Sequence, residues 1–320
     1  MTIKHLVISG GGPTIIQALA CIVECVSNNF LKINDIECMY GTSAGGILTT
    51  MLCLKMDLGV LTDYILLRPW EDVFPIQLKT FIDAFYTKGL FNTTTIIECF
   101  KPVFNAKNIN LNVTLIEFYN ICGIEQHFYA FDINAFESTD FSYKTHPNLS
   151  LMTVLHMTCA IPILFSPICL DSKCFVDGGV QINYPIGPCI TSVNFENEIE
   201  ILGIRNQYIN EDCTNYDKDN NNDNLYLKTD ETSNIFDYGI NTLIKLINNF
   251  GKSTAPINSN VQITNEIICK TPHPSIYYFK QAISSIIIRK KIFNTGTQCA
   301  KYFLEKLHKT EQLGEEHLIK

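Results

Sequence analysis

The sequence has little positive charge and a single tryptophan. Its 24 lysine and arginine residues are outnumbered by 32 aspartate and glutamate residues, which gives a net charge of −8. Proteins that bind nucleic acids usually present a basic face. We therefore expect no nucleic-acid partner.

Long hydrophobic runs are also missing. The most apolar stretch, residues 157–170, is interrupted by Pro162 and Pro167, and the apolar segment near the start covers only Leu6 to Ile8 before glycines follow. A bilayer span needs about 20 apolar residues, and the core of a signal peptide needs about 7–15. We expect a cytoplasmic protein that is not secreted and has no membrane-spanning helix.

The thirteen cysteines show no CxxC pair and no spacing typical of zinc sites. Many lie in apolar runs, where a free cysteine behaves as a small hydrophobic residue. We expect free thiols in a reducing compartment and no metal site.

One motif organises the first part of the chain: Gly41-Thr42-Ser43-Ala44-Gly45. The apolar residues before it predict a buried strand, and residues 47–56 predict a helix. Glycines at positions 41 and 45 allow the sharp turn that would expose the hydroxyl of Ser43 above the start of that helix. A Gly-x-Ser-x-Gly sequence occurs by chance about one time in ten in a chain of this length. Other motifs must therefore support the interpretation.

A second glycine turn, Gly10-Gly11-Gly12, separates a predicted strand (residues 5–9) from a predicted helix (residues 14–27). A phosphate-binding loop would need Gly-Lys-Ser/Thr, which is absent, and a dinucleotide fingerprint would need a glycine where Ile15 stands. The remaining interpretations are an oxyanion hole formed by backbone N–H groups and a plain structural turn.

A third turn, Asp177-Gly178-Gly179, follows an apolar strand pattern. A buried aspartate is costly unless it is paired or functional. Taken alone, the pattern favours an ordinary Asp-Gly turn.

Together these motifs resemble the patatin-like phospholipase family, in the same order, from residue 5 to about residue 190. The resemblance includes the glycine turn, the serine motif, Pro162-Ile163-Leu164-Phe165-Ser166-Pro167, and the Asp-Gly-Gly turn followed by Asn183 and Pro185. The chain departs from the family at Thr14 and Ile15, where members commonly have a basic residue and then glycine.

The resemblance implies an α/β fold with a central, mostly parallel sheet flanked by helices in a patatin-like three-layer architecture. It also implies a catalytic dyad of Ser43 and Asp177, with Gly10, Gly11 and Gly12 as oxyanion donors and no cofactor. The implied substrate is a phospholipid or another acyl-ester lipid, cleaved through an acyl-Ser43 intermediate. Three alternatives stay open: a Ser-Asp-His triad with His273 or His308, an acyltransferase with the same dyad, and a non-catalytic lipid-binding relative.

We predict a catalytic core over residues 1–205, an Asn- and Asp-rich surface loop over 206–234, and a mainly helical C-terminal part of the same domain over 235–320. Residues 217–223 imitate a calcium loop, but Asn222 and Lys228 replace its required glycine and glutamate.

Residues 275–293 predict one helix that ends in Arg289-Lys290-Lys291, followed by a final helix over 297–309. Core packing is the more common role of such an apolar face, and the basic end keeps peripheral membrane contact through 275–293 as the alternative. We expect Trp70 to be a core or rim aromatic residue, and His127 and His146 to be structural.

Overall fold

A computed structural model describes residues 2–193, 195–208, 263–272 and 275–318, together with scattered residues between 235 and 246. The described strands are β1 (His5–Ile8), β2 (Cys38–Thr42), β3 (Gly89–Phe91), β4 (Glu125–Asp132), β5 (Glu137–Phe141), β6 (Ile163–Phe165), β7 (Ile168–Leu170), β8 (Lys173–Asp177), β9 (Ile201–Tyr208) and β10 (Glu266–Thr271).

The described helices are α1 (Ile15–Ser27), α2 (Ala44–Cys53), α3 (Leu58–Leu67), α4 (Trp70–Val73), α5 (Leu78–Thr87), α6 (Thr93–Ala106), α7 (Leu115–Cys122), α8 (Leu151–Cys159), α9 (Ile186–Val193), α10 (Ile276–Ser284) and α11 (Ile286–Leu318).

The central sheet has the strand order β10-β9-β1-β2-β4-β8-β7, and β5 also pairs with β4. Strands β10, β9, β1, β2 and β4 pair in parallel, whereas β5, β7 and β8 run antiparallel to their neighbours. Helices cover both faces of the sheet, as the alternation of side chains requires. Leu6 and Ile8 belong to the large core with α1 and α2, whereas Val7 packs on the opposite face against α9. The predicted α/β fold with a mostly parallel sheet is confirmed.

The pairing of β4 brings the ends of two strands together. One side of β4 pairs with β5, and the other pairs first with β2 and then with β8. Because β2 and β8 run in opposite directions, their last residues meet: Thr42 faces Tyr129, and Asp177 faces the next residue, Ala130. Residues 43 and 177, 134 positions apart in sequence, are therefore neighbours.

The C-terminal third differs from the prediction in three places. The predicted loop over 206–234 begins too early, because residues 206–208 complete β9, and the rest of that range lies outside the described residues. A strand, β10, was not predicted and extends the sheet beside β9. The single helix predicted over 275–293 is two helices, since Ser285 has extended backbone angles (φ −123°, ψ 114°). The helix predicted over 297–309 is the middle of α11.

Within the described ranges, every cysteine is a free thiol, as expected. The same ranges contain no helix that is both long enough and apolar enough to cross a bilayer.

Candidate active site

Ser43 lies at the tight turn between β2 and α2. Its backbone has φ 54° and ψ −128°, an unfavourable conformation for a residue with a side chain, and such conformations cluster at functional sites. The turn is held by Thr158 on α8, whose Oγ1 accepts a hydrogen bond from Ser43 N (2.9 Å) and donates one to the Tyr129 carbonyl (2.6 Å). As predicted, the structure requires glycine at both positions 41 and 45. A Cβ atom on Gly41 would lie 2.6 Å from the backbone N of Gly46, and one on Gly45 would lie 2.4 Å from the Ile8 carbonyl oxygen.

The glycine turn after β1 lies directly beside this serine. A Cβ atom on Gly10 would be 3.0 Å from the Cβ of Ser43. The N–H of Gly10 already donates to the Asn183 carbonyl (3.0 Å), so this group is engaged within the fold. In the described part of the chain, the N–H groups of Gly11 and Gly12 have no acceptor. Two of the three predicted donors are thus free to meet a substrate oxygen.

Thr14, where the chain departs from the family pattern, takes part in a hydrogen-bond network around the glycine turn. Thr14 is buried, and its Oγ1 accepts a hydrogen bond from Nδ2 of Asn206 (2.7 Å). The same amide nitrogen donates to the Gly10 carbonyl (2.9 Å), and Nδ2 of Asn183 donates to that carbonyl from 3.4 Å. A neutral polar network from β9 and from the segment after Asp177 therefore holds the glycine turn. Sequence reasoning missed Asn206 because it was assigned to a surface loop.

Asp177 lies at the end of β8, beside Ser43, with only 4% of its surface exposed. Oδ1 accepts a hydrogen bond from the N–H of Gly179 (2.7 Å), whereas Oδ2 has no hydrogen-bond partner among the described residues. Burial raises the pKa of Asp177 from 3.8 to about 6, although the nearby Ser43 hydroxyl and the Gly179 N–H oppose the rise. A Cβ atom on Gly178 would lie 2.1 Å from the Tyr129 carbonyl oxygen, which explains the glycine after the aspartate.

An apolar cavity opens beside Ser43. It encloses about 910 Å³, part of which is open to solvent. Ser43 and Gly12 lie in its wall, and nearly all the other wall residues are apolar. They come from α1, α2, α3, α6, β6 and α10, and they include Ile15, Met51, Ile96, Leu164 and Phe279. Trp70 is half-buried at this wall, which confirms its assignment to the core or its rim.

A model of the patatin-like phospholipase family matches residues 6–190, more than half of the chain. The chain belongs to the patatin-like phospholipase family. The matched residues contain the glycine turn, the serine turn and the Asp-Gly-Gly turn, which the fold brings together.

Two viral proteins are similar in sequence. A probable lipid hydrolase of invertebrate iridescent virus 6 is 28% identical over 200 residues, covering 61% of this chain and 66% of the relative. An uncharacterised protein of Acanthamoeba polyphaga mimivirus is 24% identical over 194 residues, covering 58% and 60% respectively. The chain thus matches less than two thirds of the length of either relative.

The fold is similar to the crystal structure of VipD from Legionella pneumophila. The TM-score is 0.53 at 13% sequence identity, with 96% of this chain and 67% of VipD covered. This likeness supports the fold of the patatin-like domain.

The three basic residues near the end of the 275–293 segment differ in their exposure. Arg289 is 3% exposed and donates hydrogen bonds to the carbonyls of Leu66, Arg68, Ala282 and Ile283 at 2.8–3.2 Å. These carbonyls belong to the ends of α3 and α10, where a cation is stabilised by the unpaired carbonyls. Arg289 therefore agrees with the interpretation of core packing, while Lys290 and Lys291 are exposed.

No histidine in the described part of this patatin-like chain lines the cavity. His308 is exposed on the long helix α11, and His273 lies outside the described residues. The triad alternative gains no support from the described residues.

His127 is part of a separate polar cluster. Its Nδ1 lies 2.8 Å from Asp140 Oδ2, its Nε2 lies 3.0 Å from Glu125 Oε1, and its ring stacks on Tyr40. Donor atoms of Cys38, Glu125 and His127 lie within 4.8 Å of one another, a geometry that could hold a metal ion. The two carboxylates already pair with both ring nitrogens, so ion pairing accounts for the cluster. The structural role predicted for His127 agrees with these contacts.

Proposed function

We propose that the protein is a serine lipid acyl hydrolase, of the phospholipase A or lysophospholipase type, in which Ser43 and Asp177 form the catalytic dyad. The observation that carries this proposal is the buried, half-paired carboxylate of Asp177 beside a serine on a strained turn, next to an apolar cavity. Membership of the patatin-like phospholipase family and a relative described as a probable lipid hydrolase also support it.

In the first step, Oγ of Ser43 attacks the ester carbonyl carbon while Asp177 takes the hydroxyl proton. An ordinary carboxylate is a weak base for this purpose, and burial improves Asp177 by raising its pKa to about 6. The carbonyl oxygen gains negative charge, and the free N–H groups of Gly11 and Gly12 would stabilise it. Losing one such donor typically costs about 2.7–4 kcal/mol in the transition state.

The intermediate then collapses, the alcohol leaves with the proton from Asp177, and the acyl group stays on Ser43. Water attacks this ester with Asp177 again acting as the base, which releases the fatty acid and restores the serine. The apolar cavity would hold the acyl chain, because burial of hydrocarbon is favourable at about 25 cal/mol per Å². The reaction needs no cofactor.

Labelling with a fluorophosphonate probe tests the dyad, because this reagent modifies activated serines without requiring knowledge of the lipid. We expect one adduct, on Ser43, that is absent in Ser43→Ala and falls at least a thousandfold in rate in Asp177→Asn. Ser27→Ala, which removes an exposed serine on α1, serves as the matched control and should label normally. Circular dichroism shows that each variant is folded.

The same preparation separates the alternatives. Absence of an adduct in folded protein would overturn the hydrolase proposal and favour a lipid-binding relative. An acyl-Ser43 enzyme that passes its acyl group to an added alcohol faster than to water would identify an acyltransferase.

We also propose a cytoplasmic location with peripheral membrane contact through residues 275–293. Tyr277, Ile286 and Ile287 expose apolar surface there, and the exposed Lys290 and Lys291 follow on α11. Ile287→Ser combined with Lys290→Ser should reduce co-sedimentation with anionic phosphatidylserine vesicles by about tenfold. Unchanged sedimentation would exclude this surface.

A further inference from the structure

Two cysteines face each other on the hairpin that leads to Asp177. Strands β7 and β8 are joined by Asp171 and Ser172, which have φ 50° and φ 67°, values that define a two-residue turn of type I′. Cys169 pairs with Cys174 in this hairpin, and their sulfur atoms are 3.0 Å apart.

The backbone around this pair identifies it as a non-hydrogen-bonded position. The N–H of Cys174 donates to Oδ1 of Asp132 (3.1 Å), and its carbonyl accepts from the N–H of Ile133 (3.0 Å). Both groups therefore point away from β7. At such positions the facing side chains are closest, with Cα atoms about 4.5 Å apart, which lies within the range that a disulfide needs.

Accessibility distinguishes Cys169, which is the one exposed cysteine among the described residues, and Cys174 is half-exposed, as is Cys299. A second pair, Cys21 and Cys269, has its sulfur atoms 3.6 Å apart but is fully buried between α1 and β10. Exposed thiols exchange with small disulfides, whereas buried thiols are inert. The described residues thus offer an accessible pair and a buried pair for comparison.

We propose that Cys169 and Cys174 form a reversible disulfide across the β7–β8 hairpin, by exchange with a small-molecule disulfide of the glutathione type. The thiolate of Cys169 attacks one sulfur of that disulfide, and one small thiol leaves. The thiolate of Cys174 then displaces the second small thiol, so two electrons pass from the cysteine pair to the oxidant, and the two thiol protons of the pair end on the two small thiols.

The order of attack follows from burial. Burial raises the pKa of Cys174 to about 11, so the exposed Cys169 is the first nucleophile. The product is a disulfide that closes a ring within one hairpin. It crosslinks β7 to β8 at Cys174, three residues before Asp177. This inference does not depend on the proposed hydrolase activity.

The test exposes reduced, full-length protein to oxidised glutathione, blocks the remaining thiols with N-ethylmaleimide, and maps the peptides by mass spectrometry. We expect the loss of two hydrogen atoms and a link between Cys169 and Cys174 that dithiothreitol reverses. Because Lys173 lies between the two cysteines, trypsin converts the hairpin into two chains held by that link.

Two variants sharpen the result. Cys169→Ser should abolish the link, and Cys21→Ser, which removes one member of the buried pair, should leave it unchanged. Three outcomes would overturn the proposal: thiols that stay free, a stable glutathione adduct on Cys169, and a link between two copies of the chain.

Discussion

Asp177, on β8 beside β4, and His127, on β4 itself, are both mostly buried titratable residues, and their surroundings differ in one respect. His127 has a carboxylate at each ring nitrogen, whereas Asp177 has one backbone N–H on Oδ1 and an unpaired Oδ2. Burial acts to lower the pKa of His127, but the hydrogen bond and charge of Asp140, together with Cys38, outweigh it and raise the pKa to about 10. Burial raises the pKa of Asp177 to about 6.

This difference shows that pairing decides whether a buried titratable group fixes the local structure or is suited to proton transfer. A paired charge has little tendency to give up or take a proton near neutral pH, so it fixes the geometry around it. An uncompensated carboxylate is destabilised in its charged form and gains basicity. The following predictions test this contrast.

The largest effect concerns the pH dependence of catalysis. Because Asp177 must be deprotonated to act as a base, kcat/KM for a soluble ester should be level above pH 7 and fall about tenfold per unit below pH 6, reaching about a hundredfold loss at pH 4. Initial rates measured across this range check the prediction. The His127→Gln variant should show the same pH profile as the wild type. A changed profile in this variant would contradict the assignment of Asp177 as the base.

A second prediction concerns stability. The folded pKa of Asp177 lies above 3.8, so its contribution to stability is largest when it is protonated and is lost as the pH rises through about 6. A rise of this size corresponds to about 3 kcal/mol. The stability of Asp177→Asn relative to the wild type should therefore increase by about 3 kcal/mol between pH 4 and pH 8, as measured by urea unfolding. A constant difference would show that the carboxylate carries no such cost.

The smallest effect is expected for the paired histidine. His127→Gln should destabilise the protein by about 2 kcal/mol at pH 6, because hydrogen bonds to charged groups contribute about 1.5–3 kcal/mol. The folded pKa lies above 6.5, so the stabilisation is complete below pH 6.5 and should shrink as the pH rises towards about 10. Chemical denaturation at pH 6 and pH 9 measures both values. His146→Gln is the control: burial lowers the pKa of His146, so the contribution of this histidine to stability should not shrink between pH 6 and pH 9.

The sequence allowed correct prediction of the elements that local patterns determine. The glycines around Ser43 and the strand that ends at Asp177 follow from periodicity and turn chemistry, whereas the mostly parallel sheet was expected from the resemblance to the patatin-like family. The pairing of Gly10 with Asn183, the burial of Arg289 and the position of β10 depend on contacts between segments far apart in the chain. No local pattern records such contacts, which explains why Asn206 was assigned to a loop.

The cavity has one more consequence. Ser43, Asp177 and the glycine turn lie within the family match over residues 6–190, but part of the cavity wall, including Phe279, Ala282 and Ile283, lies beyond it. Arg289 fastens this later segment to the end of α3. If the cavity holds the acyl chain as proposed, part of the surface that selects the chain therefore lies outside the stretch that carries the reacting atoms. Substitutions in the later stretch can change which hydrocarbon fits while the reacting atoms stay in place, so selectivity can evolve without new chemistry.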